Sequence, residues 1–141
     1  MKTDLHLVFP GTCSDAFDFY ETTFGSKRLM TMTYGQAPPP GAPVPPDAMD
    51  LVMHTAMPLG GVTLMGCDAF PGRPGVPMGG FNISLSEPDE AECRRLFAAL
   101  SEGGSVEMPI GPTFWSPLFG MCTDKFGVAW MIGIPGPQPG S

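Results

Sequence analysis

Gly61-Val62-Thr63-Leu64-Met65 and Gly127-Val128-Ala129-Trp130-Met131 are the two stretches that decide the fold. Glycine, valine and methionine stand at identical offsets in both, and each stretch closes a run of an apolar strand, an amphipathic helix and further strands. The first run spans residues 4–68 and the second spans residues 81–136. Neither run is long enough to bury its apolar faces alone, so the repeat predicts two βαβββ modules within a single domain, residues 1–141.

Hydrophobic periodicity assigns the elements of the two modules. A helix is predicted from about Thr12 to Gly25, and a second helix enters near Pro88. A Gly- and Pro-rich linker is predicted at 69–80, and a frayed tail at 135–141. The predicted strands are 5–9, 28–34, 51–57 and 62–66 in the first module, and 81–85, 106–110, 113–123 and 128–134 in the second.

Composition excludes two classes of partner. The 141 residues are 43% hydrophobic, which suits one compact domain with a core. Lys and Arg number 7 against 14 Asp and Glu, and the formal charge of -7 repels nucleic-acid phosphates and anionic lipid headgroups. No stretch is apolar enough to cross a bilayer, and Met1-Lys2-Thr3-Asp4 leads into a strand without a signal-type core. The sequence therefore predicts a soluble cytoplasmic protein that binds neither nucleic acid nor membranes.

The four cysteines, Cys13, Cys67, Cys93 and Cys122, form no Cys-x-x-Cys pair. In a cytosolic protein the simplest interpretation is that they stay reduced and pack as small hydrophobic side chains. Cys13 has an alternative, because the dipole at the start of the first helix favours a reactive thiolate.

The Pro-rich segment 36–46 lacks the donors for regular structure and predicts an exposed loop. It is either a lid over a ligand site or a tolerated surface insertion, and the sequence leaves both open.

An ordered series of short motifs spans nearly the whole chain. They are Gly11-x-Cys13-x-x-Ala16-Phe17-x-Phe19-Tyr20, Met53-His54, Leu64-Met65-x-x-Asp68, Leu96-Phe97-x-x-Leu100, Thr113-Phe114-Trp115 and Phe119-Gly120-x-x-Thr123-Asp124-x-Phe126-Gly127-Val128-x-Trp130. In this order and spacing the chain resembles the vicinal oxygen chelate superfamily, which includes glyoxalase I, bleomycin-resistance proteins and extradiol dioxygenases. The closer resemblance is to its PhnB-like branch.

This resemblance implies an α+β fold in which two βαβββ modules form an eight-stranded cup-shaped sheet with the helices on its outer face. It also implies a homodimer. In metal-dependent members of the superfamily, four ligands come from the first and last strands of each module. The corresponding positions of this chain are His6, Met65, Asn82 and Met131.

This quartet is a poor set of ligands for a divalent metal. Such an ion prefers imidazole and carboxylate donors, whereas a thioether is soft and weak and an asparagine offers one neutral oxygen. A register shift of one residue puts Leu5 and Phe81 at the opening-strand positions, which leaves still fewer donors. We therefore expect no metal and no other cofactor, unless His54 and Asp68 are recruited instead.

His6 and His54 are the only imidazoles, and either is able to move a proton near neutral pH. His54 belongs to the Met-His pair of the branch, which makes it the candidate general base. The alternative is a hydrogen-bonded strand histidine with no catalytic task. The candidate ligand-binding residues are His6, His54, Met65, Asp68, Asn82, Trp115, Phe119 and Met131.

The expected lining is soft and aromatic, because inward-facing methionines would stand beside Trp115 or Phe119 from the neighbouring strand. Such a lining favours a flat or apolar small molecule. Trp130 is expected in the core, and Asp124 is explained by bonds to the amides of its own turn.

Two functions are consistent with these features. The first is a small-molecule-binding protein of the vicinal oxygen chelate type with a degenerate metal site, whose partner is a small apolar or aromatic molecule. The second is a lyase, isomerase or dioxygenase-type enzyme that uses an atypical metal site or His54 as general base.

Overall fold

The computed structural model describes residues 1–72 and 77–136, and the chain divides into two compact units, Met1–Val76 and Pro77–Ser141. The first unit consists of β1 (Leu5–Phe9), α1 (Cys13–Phe24), β2 (Met30–Thr33), a short 3-10 helix at Pro46–Ala48, β3 (Val52–Leu59) and β4 (Val62–Asp68). The second unit consists of β5 (Ile83–Ser86), α2 (Glu90–Ser101), β6 (Ser105–Gly111), β7 (Phe119–Thr123) and β8 (Ala129–Gly133).

The strands form two four-stranded sheets with the same topology. The order is β1-β4-β3-β2 in the first unit and β5-β8-β7-β6 in the second. In each sheet the first and last strands of the module pair in parallel, and the other neighbours are antiparallel. The predicted α+β fold of two βαβββ modules is confirmed. In the described ranges its eight strands belong to two hydrogen-bonded sheets of four, and the grouping of both units into one domain stays a prediction.

Each helix packs on one face of its own sheet, and a strand glycine marks the contact. A Cβ atom at Gly66 of β4 would lie 2.6 Å from the Phe17 ring of α1. A Cβ atom at Gly120 of β7 would lie 2.7 Å from the Phe97 ring of α2. These rings reach the strand backbone because glycine has no side chain. Trp130 of β8, which is 0% exposed, belongs to the core of the second unit as predicted.

The two helices begin with different caps. Asp89 caps α2 locally, because its side chain accepts a hydrogen bond from Ala91 N at 3.1 Å. Thr12 precedes α1, but its hydroxyl makes no cap bond. The amide of Cys13 instead donates to Asp68 Oδ1 at 2.9 Å, 55 residues along the chain. The start of α1 was predicted within a residue, whereas its cap is a tertiary contact.

The segment before β7 corrects one prediction. The strand predicted at 113–123 begins only at Phe119. Thr113 N donates to Ser116 O at 2.9 Å, and Ser116 N donates to Thr113 Oγ1 at 3.1 Å. These local bonds replace a strand ladder, because hydroxyl side chains offer the backbone another partner. Trp115 is therefore a loop residue and not a strand residue.

The remaining segments lie outside the sheets. Residues 36–46 form an irregular, largely exposed loop, as predicted, and only its last residue enters the 3-10 helix. Part of the predicted linker, 73–76, and the end of the predicted tail, 137–141, lie outside the described residues. Within 1–72 and 77–136, no helix combines the length and apolar character needed to cross a membrane.

Candidate functional site

The first sheet carries α1 on one face and both histidines on the other. Cross-strand partners share a face, and Gly66, paired with Leu7 and Thr55, marks the α1 side. The alternate residues of each strand point the opposite way. This opposite side, which we call the histidine face, carries His6, Val8, Met30, Met32, His54, Ala56, Met65 and Cys67.

His6 of β1 and His54 of β3 contact each other across β4. Their ring centroids are 6.0 Å apart, and the ring planes are 18° from parallel. His6 is exposed and His54 is half-buried. Burial, and then the neighbouring His54, lower the pKa of His6. The lowered pKa favours the neutral form of His6. The ring contact also shows that His54 shares a face with His6, which strand alternation alone left open.

Sulfur side chains of β4 lie beside the two histidines. Met65 is the ladder partner of His6, and Cys67 is two residues further along the same face. Burial, and then the charge of Asp68, raise the pKa of the Cys67 thiol. Asp4 lies at the edge of this sheet, where its carboxylate accepts a hydrogen bond from a β4 amide at 3.0 Å. The centre of the histidine face therefore offers two imidazoles, a thioether and a thiol, and no carboxylate.

Asp68 does not join this group. It is 2% exposed and shares the α1 side of the sheet with Gly66. Its Oδ1 accepts a hydrogen bond from Cys13 N and its Oδ2 accepts one from Val52 N, both at 2.9 Å. The Tyr34 hydroxyl donates a hydrogen bond to the backbone oxygen of Asp68 at 2.7 Å. These contacts give Asp68 a structural role, which departs from its expected place among the ligand-binding residues.

The second sheet has methionines on the face opposite α2. Gly120 marks the α2 side, so its neighbours in β7 point away from the helix. Met121 pairs with Met131 of β8 and with Met108 of β6. This side, which we call the methionine face, carries Ser84, Met108, Phe119, Met121 and Met131.

Aromatic side chains border the methionine face. The Phe119 ring lies beside Gly133, where a Cβ atom would come within 3.1 Å of Phe119 Cδ2. The Trp115 and Phe119 rings meet edge to face with their centroids 5.4 Å apart. Phe114 contacts Trp115 in the same way at 4.7 Å. Trp115 is 44% exposed and Phe114 is 97% exposed, so the structure brings Trp115 and Phe119 together at an accessible edge.

Ser84 occupies the opening-strand position that the sequence analysis gave to Asn82. Ser84 is the ladder partner of Met131, as His6 is the partner of Met65 in the first sheet. Strand alternation does not reveal this register, because the parallel pairing of β5 with β8 sets it. Asn82 lies ahead of β5, where it lines a pocket of about 280 Å³ with Met78, Phe81, Thr123 and Ala129.

The side chains at the positions that correspond to the superfamily's metal ligands do not fit a divalent metal. The first sheet offers one imidazole and one thioether there, and the second offers one hydroxyl and one thioether. In the described parts of the chain, no three His, Cys, Asp or Glu side chains are grouped so that they could hold a metal ion. Neutral donors leave a double charge poorly compensated, so we derive no step through a divalent metal.

The cysteines are packing residues. All four are free, and Cys13, Cys93 and Cys122 are buried. Burial, and then the charge of Asp68, raise the pKa of the Cys13 thiol despite its place at the start of α1. Burial also raises the pKa of Cys122, to about 12. Cys13 is therefore not the reactive thiolate that its position in the helix allows.

The two βαβββ modules have the fold of the vicinal oxygen chelate superfamily. A glyoxylase/bleomycin resistance protein/dioxygenase domain from Frankia sp. EAN1pec is 14% identical, with a TM-score of 0.59 over 97% of this chain and 98% of that one. At that identity the likeness shows the fold alone.

More similar proteins identify the family. The family model described as 3-demethylubiquinone-9 3-methyltransferase matches residues 1–133, and the chain belongs to this PhnB-like family. Protein YjdN of Escherichia coli (strain K12) is 34% identical over 149 residues, covering 99% of each chain. Protein PA1353 of Pseudomonas aeruginosa is 41% identical, with a TM-score of 0.85 over 96% of this chain and 98% of that one. The PhnB protein of Bacillus cereus is 25% identical, with a TM-score of 0.78 over 95% and 99%.

Proposed function

We propose that this protein binds a small apolar or aromatic molecule and holds it without a divalent metal. The observation that carries the proposal is the methionine face, where three adjacent strands each contribute a thioether and Phe119 and Trp115 add aromatic surface. Thioethers are flexible and polarizable, and they make favourable contacts with aromatic rings. A flat molecule with few charges suits such a surface better than a phosphate or a sugar does.

The family description names a methyltransferase, but the residues of this chain do not support that activity. A nucleotide-type methyl donor is commonly held by a glycine-rich turn that follows a strand and opens a helix. The turn between β1 and α1 reads Pro10-Gly11-Thr12 and has a single glycine. We therefore base the proposed function on the sheet faces and not on the family description.

A ligand panel tests the proposal directly. We expect planar aromatic molecules to raise the unfolding temperature of the full-length protein, because a ligand that binds only the folded state stabilises it, by about 2.7 kcal/mol at a hundredfold excess over Kd. Aliphatic carboxylic acids and sugar phosphates of similar size are expected to have no effect. A panel in which only the phosphates stabilise the protein would contradict the proposal.

Fluorescence then assigns the ligand to its face. Trp130 is buried and Trp115 is not, so a bound aromatic molecule should change the emission of Trp115. Phe119→Ala should weaken binding, with a cost of about 1 to 3 kcal/mol for the lost aromatic contact. Phe126→Ala, in the hairpin turn after β7, is the matched control and should bind like the wild type. If both variants lost the same amount of ligand affinity, the methionine face would not be the binding site.

The contact between His6 and His54 favours a second candidate function, an enzyme with His54 as general base. An imidazole is able to act as a general base toward a bound substrate. If the protein is such an enzyme, His54→Asn abolishes conversion of the substrate, but the substrate still raises the unfolding temperature of the variant. A ligand that is bound and recovered unchanged by both proteins supports the binding function instead.

We further infer a homodimer, on the resemblance to the superfamily. Phe114, Leu29 and Val8 are 97%, 67% and 49% exposed, and a dimer contact at any of them would cover apolar surface. Light scattering coupled to size exclusion measures the mass in solution. A monomer at all concentrations would contradict the dimer without affecting the proposed ligand.

A further inference from the structure

The histidine face holds a group of donors that the proposed aromatic ligand does not use. His6 and His54 come from β1 and β3, and Met65 comes from β4 between them. Met65 pairs with His6 on one side and with Ala56 on the other, so its side chain shares their face. All three donors belong to one sheet, and the backbone ladder fixes their positions relative to each other.

The distance between the imidazole rings suits a single ion. Their centroids are 6.0 Å apart. A metal to imidazole-nitrogen bond is about 2.0 Å, so an ion held between two imidazoles places the ring centroids about 5 to 6 Å apart. The terminal torsion of histidine is broad, and a ring turn re-aims its nitrogen without moving the backbone.

The chemistry of the donors selects the kind of ion. Imidazole nitrogen and thioether sulfur are neutral, and thioethers select soft ions such as Cu(I). A single positive charge among neutral donors costs less to bury than a double one. Asp4, at the edge of this sheet, already accepts a hydrogen bond from a backbone amide and lies 3.5 Å from the ammonium of Lys2.

We propose that His6, His54 and Met65 form a binding site for a soft monovalent metal ion, Cu(I). The site differs in ligands and in charge from the divalent site of the superfamily, since it adds a β3 histidine and lies within one unit. It requires no oxidation or reduction by the protein, because the ion is bound and released as Cu(I).

Cys67 is the competing explanation for any copper binding. It lies on the same face, two residues from Met65. A thiol binds Cu(I) even where no other ligands are arranged around the ion. We assign Cys67 no part in the site, because among the described residues no third His, Cys, Asp or Glu side chain is grouped with two others so that they could hold a metal ion. Every measurement is therefore made in a Cys67→Ser background.

The test is an anaerobic titration of the full-length Cys67→Ser protein with Cu(I), in competition with a chromophoric Cu(I) chelator. We expect one equivalent to bind. His6→Asn and His54→Asn should each weaken binding by about 10-fold or more, and Met65→Leu should weaken it less because a thioether is the weaker donor. Met121→Leu, a ladder-paired methionine of the second sheet, is the control and should change nothing.

X-ray absorption should show two nitrogen neighbours and one sulfur neighbour around the copper. Ag(I), which is inert to redox, should shift the ring-nitrogen NMR signals of both histidines, and this readout needs no variant that could fail to fold. The proposal is overturned if Cys67→Ser abolishes binding, if His54→Asn binds as tightly as its parent, or if Ag(I) leaves both imidazole signals in place.

Discussion

Asp68 and Asp124 are buried carboxylates whose oxygens accept hydrogen bonds within their own units. Asp68 joins the start of α1 to the start of β3, as described above. Asp124 Oδ1 accepts bonds from Phe126 N at 2.8 Å and Val128 N at 3.1 Å, which confirms its predicted role in the turn. Its Oδ2 also accepts a bond from Trp130 Nε1 at 2.9 Å, which turn chemistry alone does not predict. At the residue scale, both acids stabilise the fold.

The Asp68 contacts give a stability prediction. We expect Asp68→Asn to lower the free energy of unfolding by about 2 kcal/mol, because the amide offers one acceptor oxygen where two buried backbone amides need partners. Urea unfolding measures the change. Asp47→Asn, on an exposed residue of the 3-10 helix, is the control and should stay within about 0.5 kcal/mol of the wild type. Equal effects of the two substitutions would contradict a structural role for Asp68.

The histidine pair gives a pH prediction. The groups that face His6 are His54 and Cys67, with Asp4 at the edge of the sheet. Since the pKa of His6 is lowered from the ordinary 6.5, the unfolded chain takes up this proton first as the pH falls. The contribution of His6 to stability is therefore lost as the pH drops below about 6.5.

NMR titration of the His6 ring checks this prediction. We expect a midpoint below 6.5 in the wild type. In His54→Asn the midpoint should move upward, because one of the two causes of the lowered pKa is removed. A wild-type midpoint above the ordinary value would show that His6 is stabilised in its charged form.

At the scale of elements, an aromatic ring from each helix packs directly against a glycine of the sheet. Phe17 lies against Gly66 and Phe97 lies against Gly120, and in both cases an added Cβ atom would stand closer than 3 Å to the ring. Neither ring has room to retreat, because Phe17 is 0% exposed and Phe97 is 8% exposed. Close packing of interiors makes such contacts sensitive to a single added carbon.

We therefore expect Gly66→Ala and Gly120→Ala to destabilise the protein by about 1 to 3 kcal/mol each. Gly61→Ala and Gly111→Ala are matched controls in the two units, because a Cβ atom at either position meets nothing within 4 Å. Thermal or urea unfolding of the four variants gives the comparison. If the control substitutions destabilise the protein as much as Gly66→Ala and Gly120→Ala do, contact with the helices is not the cause of the destabilisation.

At the scale of the whole molecule, the chain keeps the architecture of a metal-binding superfamily with neutral donors at the inherited positions. The formal charge of -7 comes from 14 Asp and Glu against 7 Lys and Arg, and among the described residues these acids form no group of three metal ligands. A divalent ion gains little from such donors, so its binding should not be linked to folding.

Removal of metal should accordingly leave the protein unchanged. We expect the unfolding midpoint in excess EDTA to equal that of the untreated protein. Added Zn(II) should leave both midpoints unchanged, because an ion stabilises only the state that binds it. Elemental analysis of protein purified without chelator should show less than one equivalent of divalent transition metal. A midpoint that falls in EDTA and is restored by Zn(II) would contradict the degenerate metal site.

The sequence by itself determined the βαβββ repeat, both helices, the buried Trp130 and the turn at Asp124. These features depend on local periodicity and turn chemistry, which neighbouring residues carry. Three further features were decided only by the tertiary structure: the position of His54 on the histidine face, the Asp68 cap of α1 and the place of Ser84 opposite Met131. Each depends on which strands become neighbours and in what register, and a shift of one residue would turn every side chain to the other face.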